Sequence, residues 1–397
     1  MPLSSTFCCP PSTLPRKGWP ELPGLPGWRI RDYRQATDWS NWPGPKPADS
    51  FWLSADFLSF TQQNAQGLQS EAVALCHPDY DRPVLLSVQS LRLRLKDQIR
   101  RTEPSDTGLA RRWRQLLSSL PVDVLILGQL LTSGPFGGSG LEQLSPPDVA
   151  DLLAAVGRFL MQDRRSGGLV IKDLLPRGHA VNGLLTERGF SSVAVDPVMM
   201  LDLDPFQEFG DYMAALSSKY RVRYRRARRK GEGLERRPLT GEQLKSSLAL
   251  IYDLHRETRQ GADFSFVELS VDYFDWLRGR ADYRGYFDGD TLVGFTTAII
   301  SGDYFHAHYL GLKEPYKHSH HLYHNMLFDL LEDAISQPVR ILDYGRTALE
   351  IKSSLGAEAQ PYNVLAVTRY SWLNPVLRRV LSFVHTPEDW VARNPIK

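Results

Sequence analysis

Cysteine is scarce in this chain: Cys8, Cys9 and Cys76 are the three in 397 residues. Three thiols cannot build a disulfide framework, and so few in a long chain fit a reducing compartment. No run approaches the roughly 18 consecutive apolar residues that a membrane-spanning helix needs. The opening MPLSSTFCCPPSTLPRKGW has neither the basic start nor the apolar core of a secretory signal. These absences point to a soluble, cytoplasmic protein without a membrane span. An excess of one charge sign is missing too, since 47 Lys and Arg face 45 Asp and Glu. A globally basic nucleic-acid coat and an acidic disordered chain are thereby excluded. With 42% hydrophobic and 23% charged residues, the chain suits two globular domains with cores of their own.

What is present is a local concentration of charge. From Lys219 to Lys230 the sequence KYRVRYRRARRK carries eight cations and no carboxylate, which leaves the rest of the chain net acidic. Arg, Lys and Ala favour a helix, and Tyr220, Tyr224 and Ala227 recur at helical spacing as a narrow apolar seam, with Gly231 as the stop. Like charges three and four apart repel by roughly 0.2–0.5 kcal/mol per pair. Anions are therefore expected close by, with Lys219, Arg221, Arg225 and Arg226 as substrate-binding residues. A solvated basic face is the alternative.

On either side of this segment the order of elements is similar. Residues 1–48, rich in Pro, Gly and Trp, read as an irregular arm docked by its tryptophans. A first domain over 49–210 then runs as a hairpin (Glu71–Cys76 and Pro83–Leu93), a helix (Arg111–Leu120), a buried strand (Val122–Gly128), a glycine-rich loop, a helix opened by Ser145 and Pro146, and a strand (Gly168–Leu175). It closes on a strand over Val193–Leu203. The basic stretch lies in a linker, 211–240. A second domain over 241–372 repeats the plan: helix Gly241–Arg259, hairpin strands Tyr283–Phe287 and Leu292–Ser301, strand Tyr304–Leu310, helix 319–335 and strands Arg340–Tyr344 and Val364–Tyr370. A tail follows from 373. The fold class expected is α/β with mixed, mostly antiparallel sheets.

Hairpin, strand, loop, helix, strand is the order of the GNAT N-acyltransferase fold, and two such halves resemble the Fem family of peptidoglycan interpeptide-bridge transferases. In that family a basic segment R-x-x-I-R-K-A-x-K-x-G joins the two domains, and Arg221, Tyr224, Arg225, Arg226, Ala227, Lys230 and Gly231 fall on a similar pattern. A later F-G-R-S/T followed by K-x-x-x-G-A is matched by Gly345, Arg346, Thr347, Lys352, Gly356 and Ala357. The resemblance implies two tandem GNAT-like domains and transfer of an acyl or aminoacyl group to an amine, with acyl-CoA as a cofactor and a small-molecule or cell-wall precursor as acceptor. A silent binding protein for wall precursors or tRNA is the alternative.

Two departures stand out. The helical hairpin that some Fem enzymes insert has no room after Gly241–Arg259, so tRNA is not the favoured donor. The phosphate loop of the second half reads KEPYKHSHHLYHN, without the glycines that let backbone N–H groups reach a pyrophosphate. Lys317, His320 and His321 are expected to replace that cradle as cofactor-binding residues. For catalysis, acyl transfer needs a group to take the amine proton and an acid for the leaving group. His306 and His308, on one face of a strand with Tyr309 on the other, are candidate bases, and Tyr323 in the first turn of the helix is a candidate acid. Arg346, at a strand end, and Lys352 are expected to grip phosphate or carboxylate. A zinc site built from the histidines lacks a cysteine or carboxylate cluster, and no metal is expected.

Overall fold

The computed structural model describes residues 18–64, 68–94, 121–193, 195–259, 267, 269–375, 377–378 and 390–396. The pair Cys8–Cys9 and the helix expected over Arg111–Leu120 lie outside them. The chain divides into two compact units.

The N-terminal unit ends at Asp196 and regains the chain from Pro361. It contains β1 (Arg29–Tyr33), α1 (Ala55–Gln63), β2 (Gln69–Cys76), β3 (Val84–Arg94), β4 (Pro121–Leu127), β5 (Gly138–Ser139), α2 (Pro146–Asp163), β6 (Gly168–Pro176), α3 (Ala180–Glu187) and β7 (Ser191–Val193). Helix α2 starts where Ser145 accepts from the Asp148 N–H and proline fills the first turn. It buries Leu152, Val156 and Leu160 against Leu125, Leu127 and Leu169 of the sheet. The expected hairpin is β2 and β3, paired antiparallel from Gln69↔Ser90 to Leu75↔Val84. Instead of an irregular arm, residues 29–33 form an edge strand on β2. Tyr33 packs edge-on against Trp42 at 4.8 Å, and Trp19, Trp28, Trp39 and Trp42 are all buried.

The C-terminal unit is Pro197–Gln360 with the segment 390–396. Its elements are β8 (Val198–Asp202), α4 (Phe209–Ala215), α5 (Ser218–Lys230), β9 (Leu234–Pro238), α6 (Gly241–Arg259), α7 (Val271–Trp276), β10 (Asp282–Asp288), β11 (Thr291–Ser301), β12 (Tyr304–Leu312), α8 (Glu314–Ser319), α9 (Leu322–Ile335), β13 (Ile341–Asp343), α10 (Leu349–Ser353) and β14 (Glu358–Gln360). The sheet order is β14-β8-β13-β12-β11-β10-β9, while β15 (Tyr362–Thr368) pairs with β6 and β7 of the N-terminal sheet. The units therefore divide at Asp196/Pro197 and not near residue 210. Strand β8, which follows the first half in sequence, is held by antiparallel pairing to β13 and β14.

The basic segment is likewise a helix of this unit. Its Tyr220 and Ala227 are buried in the same core as Leu327, Phe328 and Leu331 of α9, with Tyr224 packed against that core, and Gly231 is its C-cap. Among the described residues each unit has one parallel neighbour pair of strands, β4 with β6 and β12 with β13, and the other strand pairs are antiparallel. Among the described residues no helix is long and apolar enough to cross a membrane.

Candidate functional site

In the C-terminal unit the parallel register runs Tyr304↔Ile341, Phe305↔Leu342, His306↔Asp343 and stops. Strand β12 continues to Leu312, whereas the other chain turns away through Gly345, so the two separate beyond this last rung. The rung itself is a buried hydrogen-bonded couple: His306 Nδ1 lies 2.9 Å from Asp343 Oδ2, with the residues 1% and 3% exposed. The second carboxylate oxygen accepts from the Gly345 N–H at 2.7 Å. Asp343 thereby ties the histidine to the loop that follows it.

One residue further along, β12 bulges. Its register against β11 jumps from Ala298↔Ala307 to Thr296↔Leu310, so His308 and Tyr309 share Thr297 as their opposite number. The Thr297 hydroxyl occupies the gap, donating to the Tyr309 carbonyl and accepting from the Tyr309 N–H, both at 2.9 Å. Because a bulge breaks the alternation of side chains, Tyr309 does not lie opposite His308 as strict strand periodicity predicts. Their rings are 4.1 Å apart, and both meet Tyr273 of α7. His308 Nε2 is 2.7 Å from the Tyr273 hydroxyl. Burial, then the neighbouring His306 and His255, pushes the His308 pKa well below its ordinary value, so the ring is neutral at pH 7.

The loop after β13 has a rare backbone. Gly345 has φ 69°, Thr347 74° and Ala348 48°. Such angles in a β-branched residue store roughly 1–3 kcal/mol of strain and persist only where neighbours over-determine them. Here Lys352 does so: its Nζ donates to the Tyr344 and Arg346 carbonyls at 2.7 Å each and is 3.5 Å from that of Gly345. Burial brings the Lys352 pKa down to about 7, with Asp343 opposing the shift. Lys352 therefore holds the loop, and half-buried Arg346 sits on the segment it holds. Glu350 is engaged by Arg393.

The basic helix divides into two faces. Arg221 turns inward onto the Leu216 and Ala214 carbonyls that end α4. Arg228 joins Asp329, which also accepts from the Tyr286 hydroxyl at 2.8 Å. Lys219, Arg223, Arg225, Arg226, Arg229 and Lys230 are exposed. Arg226 and Lys230 act on His321, and Arg223 on His324. The two helices are joined at this point by Asn325, which donates to the Ala227 and His320 carbonyls at 2.9 and 3.1 Å.

The phosphate-loop segment proves to be helix α8 followed by a break at His321, which has φ 48°. Lys317 pairs with Glu314 at 3.3 Å. His320 stacks on Tyr316 at 5.0 Å, and Tyr316 bonds Asp288 at 2.7 Å. Tyr323 packs between two apolar clusters, and burial lifts its hydroxyl to about 12. The structure thus brings His306 and His308 together along β12, Arg346 and Lys352 at the loop, and Arg226 and His321 at the helix corner. Thr297, Asp343 and His324 join them. Only Asp343 left a trace in the sequence, as the D-x-G of LDYGRT, in which an Asp side chain commonly accepts from a backbone N–H two residues on.

The equivalent parallel pair in the N-terminal unit ends at Leu127↔Ile171. Directly beyond it Lys172 Nζ reaches back to the Gln129 and Thr132 carbonyls at 2.9 Å each and to Asp173 at 2.7 Å. Gln89 adds bonds to the Gln129 side chain and the Leu130 N–H at 2.6 and 2.7 Å. The glycine-rich loop is bonded to its own sheet here.

A family model described as an acetyltransferase (GNAT) domain matches residues 218–353. FemX is similar in structure with a TM-score of 0.53 and 10% identity, over 87% of this chain and 96% of that one. The L-PGS structure from Bacillus licheniformis has a TM-score of 0.47 at 12% identity, over 89% and 97%. A tandem GNAT protein from the clavulanic acid biosynthesis pathway has 0.45 at 12%, over 86% and 99%. No curated protein matches. The segment matched by the family model contains the β12–β13 separation, its bulge and the helix that follows. Residues 218–353 thus match the model of an acetyltransferase (GNAT) domain, and the chain as a whole has a mixed α/β fold similar to that of FemX.

Proposed function

We propose that the protein is an N-acyltransferase of Fem-like type, moving an acyl or aminoacyl group from an anionic donor to the amine of a phosphate- or carboxylate-bearing acceptor, with its reaction cleft in the C-terminal unit. The observation that carries this reading is the end of the parallel pair at His306↔Asp343 with a pinned bulge beside it. Strand separation of this kind exposes backbone groups of β12 to an extended donor arm, and the bulge sets their direction. On this reading coenzyme A is held through side chains, since the glycine cradle is missing and Arg223, Arg226 and Lys230 supply positive charge near the start of α9. When bound, it supplies the acyl group as a thioester.

The chain's own residues then have defined tasks. His308, neutral at pH 7 and hydrogen-bonded to the Tyr273 hydroxyl, is the base for the incoming ammonium on this reading, and His306 keeps its place through Asp343. Arg346, held on the strained loop, grips the acceptor's anionic group. The test is group transfer: labelled acetyl-CoA and charged tRNA are each incubated with the protein and a panel of amines. Label in an amide product supports the reading, and no transfer from either donor removes it. Binding without transfer favours the second reading, a silent binder that uses the exposed face of α5. Its RNA affinity would fall with salt at a slope near −0.7 per neutralised phosphate on a single strand.

A further inference from the structure

In the N-terminal unit, strand β15 ends in a braced turn that presents two aromatic rings to solvent. The turn is a short 3-10 segment, Ser371–Leu373. Buried Asn374 fastens it: its side-chain oxygen accepts from the Thr368 N–H at 3.0 Å and from the Thr368 hydroxyl at 2.7 Å, and its amide nitrogen donates to the Gly189 carbonyl at 3.2 Å. Two backbone bonds complete the brace, Arg369 N–H to the Gly167 carbonyl at 3.0 Å and Leu373 N–H to that of Tyr370 at 2.9 Å. Yet Trp372 is 72% exposed and Tyr370 53%. Trp19, Trp28, Trp39, Trp42 and Trp52 of the same unit are all buried, so among its described residues Trp372 is the exception. Apolar side chains scattered singly over a surface need no explanation, but two aromatics held outward on one tied turn mark a contact surface.

Charge and area say what the surface fits. Arg369, its guanidinium 5.7 Å from the Tyr370 ring, is exposed, as are Arg378 and Arg165, the latter two residues before Gly167. The sequence has no acidic residue between Glu358 and Glu388. On adjoining elements Asp123 pairs with Arg92 and Asp151 with Arg188, which leaves Glu187 of α3 against three arginines. Rings of this size bury roughly 150–250 Å² each, so at their observed exposure the two offer about 300 Å². That falls well short of the roughly 800 Å² each partner contributes to a stable protein interface. A nucleic acid would meet the denser cations of α5, in the other unit, before it met this turn. Tryptophan and tyrosine side chains settle at the headgroup level of a bilayer, and arginines beside them are drawn to an anionic leaflet. We propose that this turn docks the protein peripherally on an anionic lipid bilayer, with Trp372 and Tyr370 entering the interface and the arginines meeting lipid phosphates. Such docking needs no membrane-spanning helix, and it does not rest on the acyl-transfer reading.

The full chain is co-sedimented with vesicles of phosphatidylcholine alone and of an equimolar mixture with phosphatidylglycerol. Binding to the mixed vesicles is expected, weaker binding to the neutral ones, and a loss of at least about tenfold in the Y370S/W372S variant. Both positions are exposed, and circular dichroism checks the fold. R369Q is expected to fall between the two. Phosphatidylcholine brominated on its acyl chains, mixed with phosphatidylglycerol, should quench part of the tryptophan fluorescence, and W372F should remove that part. Because the exposed face of α5 also attracts anionic lipid, equal binding by the wild type and Y370S/W372S would assign the interaction to charge alone and overturn the proposal. No binding to the mixed vesicles overturns it as well. Two further outcomes replace the bilayer with another occupant: self-association in sedimentation equilibrium without lipid that Y370S/W372S abolishes, or retention of a single-stranded oligoribonucleotide that the same variant loses.

Discussion

Each unit places a lysine just beyond its parallel strand pair and directs its Nζ at backbone carbonyls, yet the two lysines solve opposite problems. Lys172 has a carboxylate at 2.7 Å and bonds the glycine-rich loop to the sheet, so the space past β4 and β6 is filled by the chain itself. Lys352 has two short bonds, both to carbonyls of one loop, and that loop is strained and turned away from β12. The fold is shared and the use of the separation is not. A lysine with a carboxylate partner stabilises closure, whereas one brought to a pKa of about 7 by burial fixes the shape of an open edge.

The largest effect tests the closed side. Lys172→Met leaves Asp173, 0% exposed, as a buried charge without its lysine, and is expected to cost about 3–5 kcal/mol, read as a shift in the urea midpoint. Transfer activity per folded molecule is expected to stay unchanged, because Lys172 serves the closed separation. Activity lost beyond the fraction unfolded would show that the N-terminal unit takes part in the chemistry.

Next comes the bulge. Thr297→Val keeps the shape and removes both bonds to Tyr309, an expected cost of about 1–3 kcal/mol per group left unpaired, whereas Thr297→Ser retains the hydroxyl. If the bulge aims the donor, the valine variant loses kcat more than it raises KM, and serine restores it. Equal effects of valine and serine would reduce Thr297 to packing.

Lys352 contributes an effect that varies with pH. Its folded pKa of about 7 lies below that of an unfolded lysine, so the unfolded chain holds more protons from about pH 7 upward, and stability rises with pH across that window. In Lys352→Met this slope should vanish, as measured by denaturant midpoints at several pH values. A slope that persists would assign it to another group. The smallest effect concerns Arg225, exposed on α5: Arg225→Glu is expected to change stability by no more than about 0.5 kcal/mol while weakening ligand binding.

Much of the scaffold was legible in the sequence. The β2–β3 hairpin, the helix opened by Ser145 and Pro146, and the apolar seam of Tyr220, Tyr224 and Ala227 follow from local chemistry, which acts within a few residues. The arm was less legible, because the pairing of Arg29–Tyr33 depends on β2, some forty residues away. The location of β8 and β15 was illegible for the same reason: a strand's pattern states which face is buried and not which sheet accepts it. Of the site, the basic helix, the two β12 histidines and the Gly345–Lys352 segment could be seen as residue types. That Arg221 and Arg228 point inward, that Lys317 and His320 are held by Glu314 and Tyr316, and that Thr297 matters at all could not.

The sequence by itself determined that a strong cationic helix exists, that it has one apolar seam, and that the segment KEPYKHSHHLYHN lacks glycine. These are properties of composition and spacing. Only the tertiary structure decided which of those cations face solvent, that His321 and His324 stand under their field, and that a bulge and a strained loop border the separation after His306 and Asp343. Fields and strain depend on distances between elements remote in sequence, and the packed fold alone sets those distances.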